Sequence, residues 1–173
     1  MLNYYGYTEQ LVNTIFIVSP KKKKNLSLLG IYYKFIKTHE KKMFGLTEIK
    51  VNDMSVQVSD KEKTLLDCLD HPEYCGGINE GIKGIWNSRE EIDSVKMLAY
   101  AKKMGNSAVI KRLGYLLEIL EMDKKISVRT LQKMIRKGFS LLDPLLPKKG
   151  QYNSQWNLIV NIPKEELLSF KKV

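Results

Sequence analysis

Hydrophobic residues recur at two different spacings along this chain, and the spacing changes near residue 60. Before that point, residues 13–20 and 30–39 are rich in β-branched and aromatic residues, and a proline ends the first run. Short apolar runs bounded by proline or glycine are typical of strands. We therefore predict a buried strand over residues 13–20, a loop over the lysine-bearing residues 21–30, and a second strand over residues 30–39.

The following segment, residues 43–59, has the pattern of a β-hairpin. An Asn-Asp pair at positions 52–53 separates two short strand-like runs, and both residue types tolerate the positive φ angles of tight turns. Met54, Val56 and Val58 alternate with polar residues. This alternation predicts a strand with one buried face and one face in water.

The start of the chain is rich in apolar and aromatic side chains. Leu2 and three nearby tyrosines require a surface to bury against, and glycine commonly follows the last turn of a helix. We therefore predict that residues 1–10 open with the end of a helix that stops near Gly6.

From residue 59 onward the apolar spacing becomes helical. Ser59 and Glu62 fit the S-x-x-E capping box ahead of a leucine-rich run, and the helix should end before Pro72 because proline pushes the preceding residue out of the α region. Helical spacing and capping residues predict further helices over residues 78–86, 92–105, 107–122 and 127–138. A β-rich run near the C-terminus predicts a last strand over residues 156–161.

Strands followed by helices and one closing strand indicate an α+β fold rather than alternating βαβ units. We expect a small N-terminal mixed or antiparallel sheet, then a helical half. The length of 173 residues suits a single domain. We predict one domain over residues 1–173, with a strand-rich half at 1–77 and a helical half with the closing strand at 78–173.

The chain carries a net charge of +10, from 29 lysines and arginines against 19 acidic residues. Only four of the basic residues are arginines, whose planar fork reads base edges and grips phosphates, whereas lysine is a flexible point charge. The excess therefore favours solubility or loose contact with a nucleic-acid backbone. The residues that would make such contacts are Lys21, Lys22, Lys23, Lys24, Lys111, Arg112, Lys133, Arg136 and Lys137.

Location follows from segments that the sequence lacks. It contains no apolar run long enough to span a membrane and no secretory signal. Its two cysteines, with no export signal, indicate free thiols in a reducing compartment. We therefore expect a cytoplasmic protein with no membrane partner.

The stretch LLDCLDHPEYCGG, residues 65–77, holds six side chains able to bind a metal or move a proton. A structural zinc site usually needs four Cys or His ligands in close pairs, and a cysteine nucleophile usually draws its base from a distant segment. Cys68 and Cys75 flank only His71 here, with Asp67 close by. We favour a buried thiol and a hinge between the two halves, and expect no cofactor.

Two further functions remain as alternatives. Glu48 and Lys50 match half of the E-x-K pattern of metal-dependent nucleases, although the preceding strand carboxylate is missing. Residues 107–122 and 127–138 could form a helix-turn-helix, although structural packing of both helices is favoured. No complete catalytic set is present, so we predict that the protein is not an enzyme.

Three stretches together resemble one known family. They are SDKEKTLLDCLDHPEYCGGINE at 59–80, AYAKKMGNSAVIKRLGYLLEIL at 99–120 and LLDPLLPKKGQYNSQWNLIVNIP at 141–163. In order, they carry an LLD helix, an HPE–GG turn, a KRLGYLLE helix and a closing W-N-L segment. This combination resembles the AbiEi antitoxins of type IV toxin–antitoxin systems, also described as predicted transcriptional regulators of viral defence.

The resemblance implies a non-enzymatic regulator that opposes a nucleotidyltransferase-like toxin and binds operator DNA. Members of that family typically carry a winged helix-turn-helix before this domain. The opening residues 1–10 resemble the junction that follows it, so we expect the antitoxin domain without its DNA-binding domain. The apolar start would then be a surface that meets the missing domain, or a contact in a homodimer.

Overall fold

The computed structural model describes residues 1–172 and has the α+β organisation expected from the sequence. Its first sheet contains β1 (Thr14–Ser19), β2 (Leu26–Leu28) and β3 (Ile31–Lys37) in the order β1-β3-β2. The strand β1 runs parallel to β3, and β2 runs antiparallel to it. Leu29 and Gly30 join β2 to β3 with positive φ angles of 50° and 79°, the backbone of a tight two-residue hairpin. The prediction of a loop throughout residues 21–30 is therefore wrong where β2 lies.

The second sheet is the predicted hairpin of β4 (Leu46–Val51) and β5 (Met54–Ser59). Asn52 takes a φ of 53° in its turn, as the Asn-Asp pair predicts. The prediction of a buried face is wrong, since Met54 is 66% exposed and Val56 40% exposed. The helix that follows directs its apolar residues towards other helices instead of towards this hairpin.

The strand predicted over residues 13–20 is confirmed as β1, but its burial is not. Ile15, Phe16 and Val18 are each more than a third exposed. All three line an open cleft instead of a packed layer. A β-rich run therefore identified the strand without revealing what covers it.

The helical part follows in the expected order. It contains α1 (Lys61–Asp70), α2 (Ile78–Asn87), α3 (Ser94–Met104), α4 (Ser107–Ile119) and α5 (Val128–Gln132), and the short α6 (Lys164–Leu167) follows near the C-terminus. The 3₁₀ turns lie at Glu40–Lys42, between β3 and β4, and at Pro72–Tyr74 and Ser169–Lys172. The helix expected over 127–138 is present only as the short α5, and α6 was not predicted.

The predicted capping box at the start of α1 is wrong. Ser59 ends β5, and the N-cap is Asp60, whose side chain accepts a hydrogen bond from the backbone N–H of Lys63 at 2.9 Å. Glu62 instead forms an ion pair with Lys96 at 3.0 Å. The C-terminal end of α1 is as predicted, since the last residue of the helix is Asp70 and a 3₁₀ turn begins at Pro72.

The closing sheet is larger than expected. It contains β6 (Ser140–Leu141), β7 (Gln151–Asn153) and β8 (Leu158–Val160) in the order β6-β8-β7. The strand β8 lies inside the predicted run 156–161. The other two strands are too short to produce a periodic pattern in the sequence.

The core is built mainly by the helices. The helix α1 packs against α2, α3 and α4, and buries Leu65, Leu66 and Leu69 completely or nearly so. The closing sheet adds the fully buried Trp156 beside α4. Gly114 of α4 is required at this contact, because a Cβ atom there would overlap the indole ring.

The N-terminal segment is part of this core, so the predicted helix end near Gly6 is wrong. Residues 2–6 form turns, and Leu2 and Tyr7 are buried. Leu2 reaches α2, where it lies against Gly84. The Tyr7 hydroxyl donates a hydrogen bond to Glu91 at 3.1 Å. These two side chains therefore do not form a surface that awaits another domain.

We predict that Gly114→Ala lowers the free energy of unfolding by at least about 2 kcal/mol, because the added methyl group must displace the Trp156 ring in a close-packed core. Gly81→Ala is the matched control. It lies inside α2, and its Cβ would meet Leu69 at an ordinary 3.4 Å. That change should be neutral or stabilise the protein by up to about 1 kcal/mol. Denaturant unfolding of both variants measures this, and equal effects would contradict the packing described.

Candidate functional site

A cleft of about 620 Å³ lies between β1 and the end of α1. One wall consists of β1 with the residues before it. The opposite wall contains residues 67–76, which belong to the LLDCLDHPEYCGG stretch at 65–77. Leu46 and Phe44, at the start of the hairpin, also line it. The cleft therefore brings together the chemically able side chains of the helical part and the exposed apolar residues of the first sheet.

Asp70 is the most constrained charge in this wall. It is the last residue of α1, and its buried carboxylate accepts hydrogen bonds from Lys42 at 3.0 Å and from the Asn106 side chain at 2.6 Å. The Nε2 atom of His71 lies 3.6 Å from the same carboxylate. Asp70 thus holds the 3₁₀ turn that contains Lys42 and the start of α4 against the end of α1.

His71 and Tyr74 form an aromatic stack that reaches the first sheet. The two rings lie 5.4 Å apart, and Tyr74 stacks on Phe16 of β1 with ring centroids 4.8 Å apart. The His71 ring also makes a polar contact, since its Nδ1 atom lies 3.0 Å from the carboxylate of Glu73. Lys34 lies over the Tyr74 ring at 5.3 Å. Stacking and cation–π contacts of this kind stabilise the approach of β1 to the helical part.

Asp67 faces the cleft one turn before Asp70. Burial raises the pKa of its carboxyl group, and the ion pair with Lys63 opposes that shift. Lys63 itself is buried and lies over the Phe44 ring at 5.2 Å. The pair therefore neutralises two charges at the floor of an apolar cleft, where an unpaired charge would be costly.

The two cysteines are free thiols beside one another. The hydrogen bond with Cys75 and burial raise the pKa of Cys68, so its thiol is a poor nucleophile at neutral pH. The Cys75 sulfur lies 3.5 Å from the carbonyl of Pro72 and 3.6 Å from that of Gly77, where it closes the turn. Across residues 1–172, no group of three or more His, Cys, Asp or Glu side chains is arranged to hold a metal ion.

Two of the nine predicted nucleic-acid contacts are wrong. Lys111 is 2% exposed and Arg112 is 6% exposed. Lys111 donates to the carbonyl of Gly138, and Arg112 donates through Nη1 to Leu69 at 2.6 Å and through Nε to Leu141 at 3.1 Å. Both side chains are turned inward and donate to backbone carbonyls, and the carbonyl of Leu69 is itself buried and needs a donor.

The other seven predicted contacts are exposed. They form two groups: Lys21, Lys22, Lys23 and Lys24 directly after β1, and Lys133, Arg136 and Lys137 after α5. The backbone N–H of Arg136 donates to the side chain of Ser107 at 2.8 Å, which holds the second group against the start of α4. With only five residues, α5 is too short to serve as a recognition helix.

The E-x-K half-site lies on the exposed face of the hairpin. Glu48 accepts hydrogen bonds from Ser55 at 2.6 Å and from Gln57 at 3.3 Å across the strand pair. Lys50 is opposite Ser55 in the register. These contacts are ordinary cross-strand pairs of a solvated sheet face.

Sequence reasoning missed the position of Arg112. Arg112 lies in the stretch at 99–120. Its guanidinium donates to Leu69 in the stretch at 59–80 and to Leu141 in the stretch at 141–163, so it joins all three. Burial lowers the pKa of Arg112, whereas the carboxylates of Asp70 and Asp143 act in the opposite direction. The sequence did contain a signal for its burial, because Arg112 lies within the apolar spacing of α4, beside the core residues Val109 and Leu113.

No known family model matches the chain, and no curated protein matches it. Within residues 1–172, no helix is both long enough and apolar enough to cross a membrane.

We predict that Arg112→Met lowers the free energy of unfolding by about 2–5 kcal/mol, since the buried carbonyl of Leu69 and the half-buried carbonyl of Leu141 lose their donor and nearby carboxylates lose their counter-charge. Arg112→Lys should recover only part of this loss, because an ammonium group cannot reproduce the planar fork. Arg129→Met, on the exposed surface of α5, is the control and should change stability by less than about 0.5 kcal/mol. Thermal or denaturant unfolding measures all three, and a tolerated Arg112→Met would show that the bridge is dispensable.

Proposed function

We propose that this protein is a non-enzymatic antitoxin-type regulator that opposes a nucleotidyltransferase-like toxin by binding. The observation that carries the proposal is the Arg112 bridge. The three stretches that resemble the AbiEi family lie far apart in sequence, yet Arg112 in the second donates to Leu69 of the first and to Leu141 of the third. Residues that carry the resemblance thus depend on one another in a single core.

The resembling motifs mainly serve the core, which supports a role in binding over one in catalysis. In KRLGYLLE, Gly114 makes room for Trp156, and Glu118 accepts a hydrogen bond from the indole Nε1 at 2.7 Å. In the closing stretch, the Asn161 side chain bonds the backbone of Asp143 in both directions, at 2.8 and 3.0 Å. Such residues support a scaffold, and a partner would then contact the exposed surface that the scaffold presents.

The apolar surface of the N-terminal third supports the same proposal. Exposed large hydrophobic side chains are concentrated between residues 11 and 56, on β1, β2 and the hairpin. Several of them share the lining of one cleft, namely Leu11, Val12, Ile15, Phe16, Val18 and Leu46, and apolar surface gathered in one place commonly marks a protein interaction site. A cytoplasmic location belongs to this proposal, since the toxin class acts on nucleotides.

The proposal predicts that co-expression of this protein relieves the growth arrest caused by a nucleotidyltransferase-like protein encoded beside it. Gly81→Ala should preserve relief, while Gly114→Ala should weaken it as the core is lost. Growth on inducing plates and the soluble level of each variant are the measurements. The proposal fails if no such gene lies beside this one, or if the wild-type protein never relieves toxicity.

A second candidate is a nucleic-acid-binding regulator, favoured by the net charge of +10 and by the exposed groups after β1 and α5. Lysine-rich loops of this type bind phosphate backbones with little sequence preference. Operator recognition would need base-reading side chains from a partner or another domain.

For this candidate, we predict a mobility shift on duplex DNA at about 50 mM salt that weakens steeply as salt rises. Reversal of two charges by Lys22→Glu with Lys23→Glu should weaken the shift and lower the salt slope by about two. The control is the same reversal at Lys148 and Lys149, which are exposed in the closing part of the chain. Absence of a shift at low salt, or equal effects of both pairs, would rule out DNA binding through the loop after β1.

A further inference from the structure

The strand β1 has one free edge. The carbonyls of Asn13 and Ser19 accept hydrogen bonds from Tyr32 and Thr38 at 2.9 Å each, so odd-numbered residues of this segment turn their backbone groups towards β3. In a parallel pair, the alternate residues then turn theirs away. The outward groups belong to Thr14, Phe16 and Val18.

These outward groups are unpaired within the part of the chain that the structure describes. The sheet ends at β1, and no described backbone or side-chain atom bonds the amide or carbonyl of Thr14, Phe16 or Val18. An open edge of six residues is a template for another strand, and proteins usually blunt such edges with proline, charge or a covering element. No proline or charge interrupts Thr14–Ser19.

The free edge borders the cleft. Thr14, Phe16 and Val18 all line the cleft, together with Leu11 and Val12 before the strand. Residues 67–76 form the opposite wall. Leu11 is 98% exposed and Val12 53% exposed, so this wall is apolar and open. A strand added to β1 would thus place every second side chain in a ready-made apolar space of about 620 Å³.

Charge decides the kind of occupant. Pro20 follows β1 and is succeeded by the exposed Lys21, Lys22, Lys23 and Lys24, so an added strand would end beside four positive charges. A second copy of this chain would bring a further net charge of +10 to the same place, and like charges oppose association. An acidic partner is attracted by the same field.

We propose that an extended segment of another protein, with alternating apolar side chains and acidic residues at one end, pairs with the free edge of β1 and fills the cleft. Its acidic end lies beside Lys21–Lys24. This inference rests on the proposed function, because it names the kind of toxin surface that an antitoxin of this type would bind. The free edge of β1 itself does not depend on which partner is bound.

Selection of a displayed library of random peptides of about ten residues against the full chain tests the proposal. The wild-type protein should enrich sequences with alternating apolar residues and two or more acidic residues towards one end. Binding of the enriched peptides should weaken at least about tenfold with Val18→Pro, which removes an outward N–H and spares the bonds to β3. Val18→Ala, which keeps that N–H, is the matched control and should cost less than about threefold.

Circular dichroism and thermal unfolding must show that both variants remain folded. The proposal is overturned if no such sequences are enriched, if basic sequences are enriched instead, or if the folded Val18→Pro protein binds as tightly as Val18→Ala. A concentration-dependent dimer that only Val18→Pro abolishes would also overturn it, by identifying the occupant as a second copy.

The same variants separate this inference from the proposed function. Toxin relief that survives Val18→Pro would leave the antitoxin role intact and refute the edge as its route. Enrichment of acidic strand-like peptides without any toxin relief would support the edge as a binding site and refute the antitoxin role.

Discussion

The buried guanidinium of Arg112 is the interaction on which the rest of this structure depends. A cation inside a protein must find acceptors, and Arg112 finds them in the carbonyls of Leu69 and Leu141, with the carboxylates of Asp70 and Asp143 near enough to favour its charged form. Because the fork is planar and rigid, both acceptors must approach from defined directions. The end of α1 and the start of the closing sheet are therefore positioned relative to α4 by one side chain.

That arrangement determines the character of the cleft. Once the last turn of α1 is held at Leu69, the next residue, Asp70, is directed towards Lys42 and Asn106, and the 3₁₀ turn brings Tyr74 against Phe16. The six chemically able side chains of residues 65–77 are then occupied by one another, by the backbone, and by Lys42, Lys63 and Asn106. They form one wall of the cleft, and the opposite wall contains β1, whose outer edge is unpaired within the described residues.

The sequence predicted most elements because their signals are local. Apolar spacing placed the four long helices, Pro72 ended α1, and the Asn-Asp pair produced the hairpin turn. Burial was harder to predict, because it depends on which distant element covers a face. Residues 13–20 have the composition of a buried strand, yet Val18 is 47% exposed, since α1 packs its leucines against other helices.

The same limit applied to the candidate contacts. Net charge cannot distinguish an exposed lysine in a loop from a buried lysine that donates to a backbone carbonyl, so Lys111 and Lys22 were equivalent in the sequence and are opposite in the structure. The hydrophobic spacing around Lys111 and Arg112 was the stronger signal, because a charged residue inside a helical core stripe must be either misplaced or paired.

Arginine and lysine make different kinds of contact in this protein. Arg112 is used inside, where a planar fork satisfies two carbonyls, and Arg89 lies over the Trp86 ring at 4.3 Å while it donates to the Trp86 carbonyl. Most of the exposed positive charge is left to lysines, which attract acidic partners over several ångströms without imposing a geometry. In the proposed pairing at β1, specificity would come from the apolar cleft and from backbone hydrogen bonds, while the lysines would favour an acidic partner and speed its approach.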